Sequence, residues 1–358
     1  MMERARPIRR ILVIRRKALG DVLVTLPAVQ HLAAAFPDAR LDLVVDRPYA
    51  PLLQNLAHGL EVVAWPPTTG AGPWLGRLRA AGYDLVLDYL GSPRTALWTA
   101  LCGAPLRIGY DLPLRRWAYN LRVARNRAGA RGVVQFAGEA FLDPLRALGL
   151  APPPWRPGAA AGSAPAAEAG LGPAYRDWAA AWRREIRPRA ALMFSATWPA
   201  KAWPAREGAA LYRRLEAAGL APILVTGPGD QALAAALREA APDARFAPPT
   251  TLPELADLVA GCAVFVGTDN GARHLAALLG LPTVTVFGPT DPRGWNPDDP
   301  RHVAVTQPVP CAPCDLTRCP VPGHPCLDSL AADRVAAAVL RVVGRVSESS
   351  PVAVKERP

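Results

Sequence analysis

The sequence predicts an α/β protein made of two parallel-sheet domains. Three observations carry that prediction. Short apolar runs alternate with stretches of helical spacing, as strands and crossover helices do in a parallel sheet. The alternation occurs twice, in residues 1–150 and again from residue 189, on either side of a Pro-, Ala- and Gly-rich stretch without period. A chain of 358 residues is also too long for one compact core.

Composition narrows the class. Hydrophobic residues make up 51% of the chain, yet none of their runs reaches the roughly 18 residues of a membrane span. The basic start, MMERARPIRRILVIRR, has too short an apolar run for a secretory leader, so a cytoplasmic protein is expected. Of the formal charge of +11, residues 1–150 hold +9, from 20 Lys+Arg against 11 Asp+Glu. A basic surface attracts nucleic acid, anionic membrane or an anionic substrate, and charge alone does not choose among them.

The elements follow in order. Ile11–Ile14 reads as a central strand, Arg15–Gly20 as its loop, and Asp21 opens an amphipathic helix closed by Pro37. Leu41–Val45, Val62–Ala64 and Leu85–Leu87 are further strands. Asp21 stands where a carboxylate can take a proton from a hydroxyl, and equally where it can cap a helix. Arg107–Arg131 holds seven arginines and one acid with Trp117 and Tyr119 among them. No nucleic-acid motif accompanies them, so no specific nucleic acid is expected. Residues 151–188 form a linker and bridging segment, with a short helix near Tyr175–Arg184.

In the second half, strands are expected at Ala190–Ser195, Pro222–Thr226, Ala263–Val266 and Thr283–Phe287. Polar turns follow them. Thr197 and Lys201 lie after the first, and Asp230 after the second is suited to ribose hydroxyls or to capping. Thr250 precedes a helix and is expected to border a nucleobase. Asp269, Asn270 and Gly271 begin a helix whose start carries about +0.5 charge, which favours a phosphate, with His274 in its first turn. Gly288–Pro292, containing Thr290, closes the same edge, and together these turns suggest a nucleotide diphosphate site. Cys311, Cys314, Cys319 and Cys326, with His324 among them, are expected to form a reduced structural loop. Their soft ligands could hold a structural zinc, although the spacing is not that of a two-knuckle ribbon. A helix spans about Ser329–Val342, and residues 346–358 are expected to be disordered.

Two stretches resemble glycosyltransferase family 9, the heptosyltransferases of lipopolysaccharide core assembly: ILVIRRKALGDVLVTLPAVQHLAAAFPDARLDLVV and GTDNGARHLAALLGLPTVTVFGPTDP. The resemblance implies a GT-B-like architecture, α/β, with two Rossmann-like domains facing across a cleft. It places the acceptor domain at 1–150, the nucleotide-sugar domain at 189–327, and a helix at 328–345 that returns to the first domain. With the acceptor in the first domain, an anionic glycolipid near a membrane surface is the expected partner of Arg107–Arg131. It also implies inverting transfer, from ADP-heptose, to a lipopolysaccharide core hydroxyl, with Asp21 as general base and Lys201 at the donor phosphates. Family members need no metal at the diphosphate, so no cofactor is expected, and the enzyme would work peripherally at the inner membrane. Where Lys17 and Ala18 stand, the family often has small hydroxyl residues. A sugar-nucleotide epimerase is the alternative activity that can share this architecture.

Overall fold

The computed structural model describes residues 7–57, 59–65, 71–125, 135–158 and 170–349. It divides into two compact units, 1–167 and 168–358, so the boundary falls inside the expected linker.

The first unit holds a six-stranded parallel sheet in the order β3-β2-β1-β4-β5-β6. Its strands are β1 Arg10–Ile14, β2 Arg40–Asp46, β3 Glu61–Trp65, β4 Leu85–Asp88, β5 Leu106–Tyr110 and β6 Leu121–Val123. β1 and β4 are almost wholly buried because helices cover both sheet faces. The chain runs from β1 outward to β3, then crosses back to place β4 on the other side of β1. That reversal leaves a crevice above the carboxyl ends of β1 and β4, where open sheets of this kind take their ligands. The last two strands lie in the arginine-rich stretch and were not expected. Arg107 and Arg122 interrupt the apolar runs there, so periodicity hides the strands.

The second unit holds a five-stranded parallel sheet in the order β11-β10-β9-β7-β8, with β7 Arg189–Met193, β8 Ala221–Leu224, β9 Val264–Thr268, β10 Thr283–Phe287 and β11 His302–Thr306. Here the chain reverses between β7 and β9. The turns after those two strands therefore share a crevice as well. β11, HVAVT, also escaped the sequence reading.

Two expectations at the carboxyl end need correction. The helix Ala332–Ser349 was expected to return to the first domain, but it packs on the second unit. Val335, Val339 and Val342 form one buried stripe that joins the core of β7, β9 and β10 through Leu192, Val266 and Val286. Residues 346–349 belong to this helix, while 350–358 lie outside the described residues. The helix Pro173–Trp182, expected to bridge the domains, is held by the second unit, with Tyr175 Oη donating to Asp257 at 2.9 Å.

Candidate functional site

In the first unit the crevice is marked by Asp21. The helix Leu19–Ala35 starts just above β1, and Asp21 is its third residue. Asp21 Oδ2 accepts from the Ala18 amide at 3.3 Å, so the carboxylate does help to cap. Its Oδ1 pairs with Arg15, which leaves β1 and is buried to 1% exposure. Arg15 in turn donates to Tyr89 O at 2.6 Å and lies over the Phe141 ring. Asp21 keeps 21% of its side-chain surface and is thus fixed in direction yet open to a reactant. Sequence reasoning missed Arg15. The signal was an arginine directly following the fully buried run ILVI.

In the second unit, the loop after β7 and the turn after β9 meet. Lys201 ends a short helical turn, Pro199–Lys201, and its Nζ lies 2.6 Å from Asp269 Oδ2 and over the Trp198 ring. Thr290 Oγ1 donates to the same oxygen at 2.9 Å, and Arg273 Nε reaches Asp269 Oδ1 at 3.4 Å. Burial would raise the Asp269 carboxyl, but Lys201 and then Arg273 outweigh it and hold the group at about 2. Asn270 alone caps the helix Gly271–Leu278, accepting from the Arg273 amide at 3.2 Å. Its amide also donates to Met193 O and Ser195 O, which ties the helix start to the end of β7.

Several expected residues take other positions. His274 is buried, and burial followed by Arg273 pushes its imidazole well below the usual histidine range. The neutral ring accepts from Arg273 at 3.1 Å and stands edge-on to Trp295. It therefore supports the arginine rather than opening onto the crevice, a correction to its expected diphosphate contact. Thr290 is likewise buried and serves Asp269. Asp230 occupies the position before the helix Gln231–Ala240 but does not cap it. Its carboxylate turns back to the Gly227 amide at 2.6 Å and to Ser195 Oγ. Thr197 is exposed in the loop after β7. Thr250 follows the one-residue bridge between Phe246 and β8, and its neighbour Thr251 caps the next helix.

The cysteine loop braces both halves of this site. Cys314 and Asp315 donate backbone amides to Pro289 O at 2.8 Å, Ala200 N donates to Thr317 O at 3.1 Å, and His324 Nε2 donates to Ala200 O at 2.9 Å. A Cβ on Gly288 would come within 2.7 Å of Leu327, so only glycine lets the β10 turn sit this close to the loop. All six cysteines are free; Cys311 and Cys314 are exposed and Cys326 is buried. Burial, then Cys319 and its neighbours, push the Cys326 thiol up to about 11. Among the described residues no three His, Cys, Asp or Glu side chains are placed to hold a metal ion. Asp315 was missed by sequence reasoning. Partial burial raises its carboxyl, with Lys201 opposing and Asp291 and Asp269 adding to the rise. A cavity of about 470 Å³ opens beside this turn, lined by Gly288, Thr290, Thr306 and Val309 among others.

This arrangement resembles known proteins along most of the chain. The family profile of glycosyltransferase family 9 (heptosyltransferase) matches residues 75–324. Lipopolysaccharide heptosyltransferase 1 of Pseudomonas aeruginosa is 27% identical over 339 residues, covering 87% of this chain and 87% of that protein. Lipooligosaccharide heptosyltransferase 2 of Haemophilus influenzae is 25% identical over 301 residues, covering 80% and 85%. Among solved structures, E. coli ADP-heptose lps heptosyltransferase II aligns with a TM-score of 0.72 at 21% identity, covering 94% of this chain and 99% of that one. E. coli heptosyltransferase WaaC with ADP-2-deoxy-2-fluoro heptose gives 0.69 at 23% identity, with the same coverage. The fold is accordingly GT-B-like, with two Rossmann-like domains.

Proposed function

Because the chain belongs to glycosyltransferase family 9 and is a glycosyltransferase, we propose that it moves heptose from ADP-heptose to a hydroxyl of a lipopolysaccharide core acceptor, with inversion. The observation that carries this reading is the placement of Lys201, beside the start of the Gly271–Leu278 helix and at the reversal point of the second sheet. An ammonium and a helix start at one crevice suit a diphosphate and the charge that grows on it as the glycosidic bond breaks.

In this reading the second domain holds the donor. Lys201, Asn270 and Gly271 meet the diphosphate, and Thr197 borders it from the β7 loop. Asp269, His274 and Thr290 hold Lys201 and Arg273 from beneath. Asp230 reaches the ribose with its remaining oxygen, and Thr250 borders the adenine. The first domain supplies the base. Asp21 takes the proton of the acceptor hydroxyl as that oxygen attacks the anomeric carbon and ADP departs. The acceptor is membrane-held, so the enzyme works peripherally at the inner-membrane surface; no helix among the described residues is long and apolar enough to cross a bilayer.

The deciding assay is transfer of heptose from ADP-heptose to truncated lipopolysaccharide, followed by mass spectrometry of the product. Product mass should rise by one heptose and ADP should appear in equal amount. Release of free sugar or of an epimerised donor without acceptor modification would defeat the reading.

A further inference from the structure

The connection from β5 to β6 builds a rigid turn with an apolar tip. The Tyr119 ring lies against Gly109, where a Cβ would come within 2.4 Å of it, and Tyr119 Oη donates to the buried Asp88 at 2.8 Å. Arg107 adds bonds to Asn120 Oδ1 at 2.8 Å and Ala118 O at 3.0 Å, and Trp117 Nε1 donates to Leu114 O at 3.0 Å. The turn is therefore fixed at its base and at its tip. Leu114 stands at the tip with φ of 62° and 92% of its surface exposed, and Trp117 is 57% exposed. A leucine in the left-handed region is unfavourable, and there it also gains nothing from burial. Ala96, on the helix Pro93–Leu101, packs against Ala118 and Tyr119, and the adjacent Leu97 is exposed.

Charge surrounds this tip with one sign. Arg94, Arg116 and Arg122 are exposed and Arg115 is partly so, while the acid in the turn, Asp111, lies 3.9 Å from Arg116 in a solvent-exposed pair that neutralises little. The connection leaves β5 at its carboxyl end, the sheet edge on which Asp21 also stands, and returns past Ala118 and Asn120, which bond Arg107, to begin β6 parallel to β5.

We propose that this turn docks the first domain on an anionic bilayer: Leu114 and Trp117 enter the headgroup boundary while Arg94, Arg115, Arg116 and Arg122 meet lipid phosphates. An apolar tip of a few side chains ringed by arginine is what interfacial binding uses, tryptophan and leucine inserting and the cations adding attraction to anionic lipid. The apolar part of the tip is two exposed side chains, Leu114 and Trp117, where a stable protein partner buries roughly 800 Å² on each side. The inference rests on the membrane-held acceptor of the reading above, and names the part of the first domain that meets that membrane.

The test is co-sedimentation with vesicles of phosphatidylcholine alone or mixed with phosphatidylglycerol. Wild-type protein should bind the mixed vesicles at least about tenfold more tightly than the neutral ones. Both the Leu114→Ser/Trp117→Ser and the Arg115→Gln/Arg116→Gln variants should lose about tenfold or more of that binding while keeping the wild-type melting temperature. The Leu114→Ser/Trp117→Ser variant should still transfer heptose to a delipidated, soluble core oligosaccharide at the wild-type rate. Equal vesicle binding by wild type and variants overturns the proposal. So does loss of single-stranded RNA binding, without loss of vesicle binding, in the same variants. If wild type binds vesicles through this turn but transfers no heptose, the docking surface stands and the functional reading falls.

Discussion

Replacing Lys201 by methionine removes the ammonium and keeps the stem, so it isolates the charge at the donor site. The Asp269 carboxyl sits at about 2 where 3.8 is ordinary, a difference worth about 2 kcal/mol of folding stability at neutral pH. Because the folded value is depressed, that contribution is complete above about pH 4 and disappears as pH falls toward 2. Lys201 is the largest of the charges holding it down, so the variant should give up about 1 kcal/mol and melt about 2 to 4 °C lower. The effect on chemistry should be larger. Losing one preorganised charge-assisted contact to the developing leaving-group charge costs about 10²- to 10³-fold. Asp269, 2.6 Å away, already shares the ammonium's field, which places the expected loss in kcat/KM near the lower end, about 10²-fold. Calorimetric titration should show weaker ADP binding with adenosine binding unchanged. Lys201→Arg should recover only part of the rate, since a planar fork does not fill the position of a compact ammonium between Trp198 and Asp269. A folded Lys201→Met protein with wild-type kcat/KM and ADP affinity would refute the reasoning.

Other expectations are more compact. Asp21→Asn should cut turnover by about 10²-fold or more with ADP affinity unchanged; it should also lower the melting temperature, because the buried Arg15 loses its counter-charge, and a variant with normal turnover would remove Asp21 as the base. His302 is buried with Nδ1 2.9 Å from Thr283 Oγ1, and burial lowers its imidazole to about 4. The unfolded chain then binds that proton first as pH falls, so stability should decline between about pH 6.5 and pH 4; His302→Gln should flatten this slope in pH-dependent denaturation, and an unchanged slope would clear His302 of it. Transfer at saturating donor should survive a strong chelator if, as proposed, Lys201 and a helix start meet the diphosphate; a strict requirement for added magnesium would contradict this.

The parts of the fold legible from the sequence were those with one dominant local signal. The β1 run ILVI, the turn into the Leu19–Ala35 helix and the capping Asn270 each follow from hydrophobic period or from a side-chain oxygen before a helix. β5 and the edge strands β6 and β11 carry charged or polar residues on one face, and their pairing comes from neighbours outside their own runs. The carboxyl-terminal helix shows the same limit. Its stripe of Val335, Val339 and Val342 announces a buried face but not which of the two cores it joins. At the site, the residue types that first suggested ligands include three that the structure buries, Asp269, His274 and Thr290. Arg15 and Arg273 went unread because arginine is ordinarily a surface residue, and its rare burial depends on a partner that only the fold supplies.

Those two arginines also explain why two aspartates with similar partners have different work. Among the described residues Arg15 and Arg273 are the largest fully buried side chains, and each fixes a carboxylate at the reversal point of its own sheet. Burying such charges is costly, so in each domain some stability is given up to hold one carboxylate still. What differs is access and company. Asp269 retains 5% of its side-chain surface and is surrounded by Lys201, Thr290 and Arg273, so its oxygens are spoken for and no acceptor hydroxyl can reach them. Asp21 has one arginine and one backbone amide, and keeps 21% of its surface. Only the second arrangement leaves a carboxylate both oriented and reachable, which is what proton abstraction in the attacking step requires. The assignment of the base therefore rests on exposure and on the number of partners, and its chemical signature would be carbodiimide modification of Asp21 that an acceptor analogue prevents, with Asp269 unmodified whether or not the analogue is present.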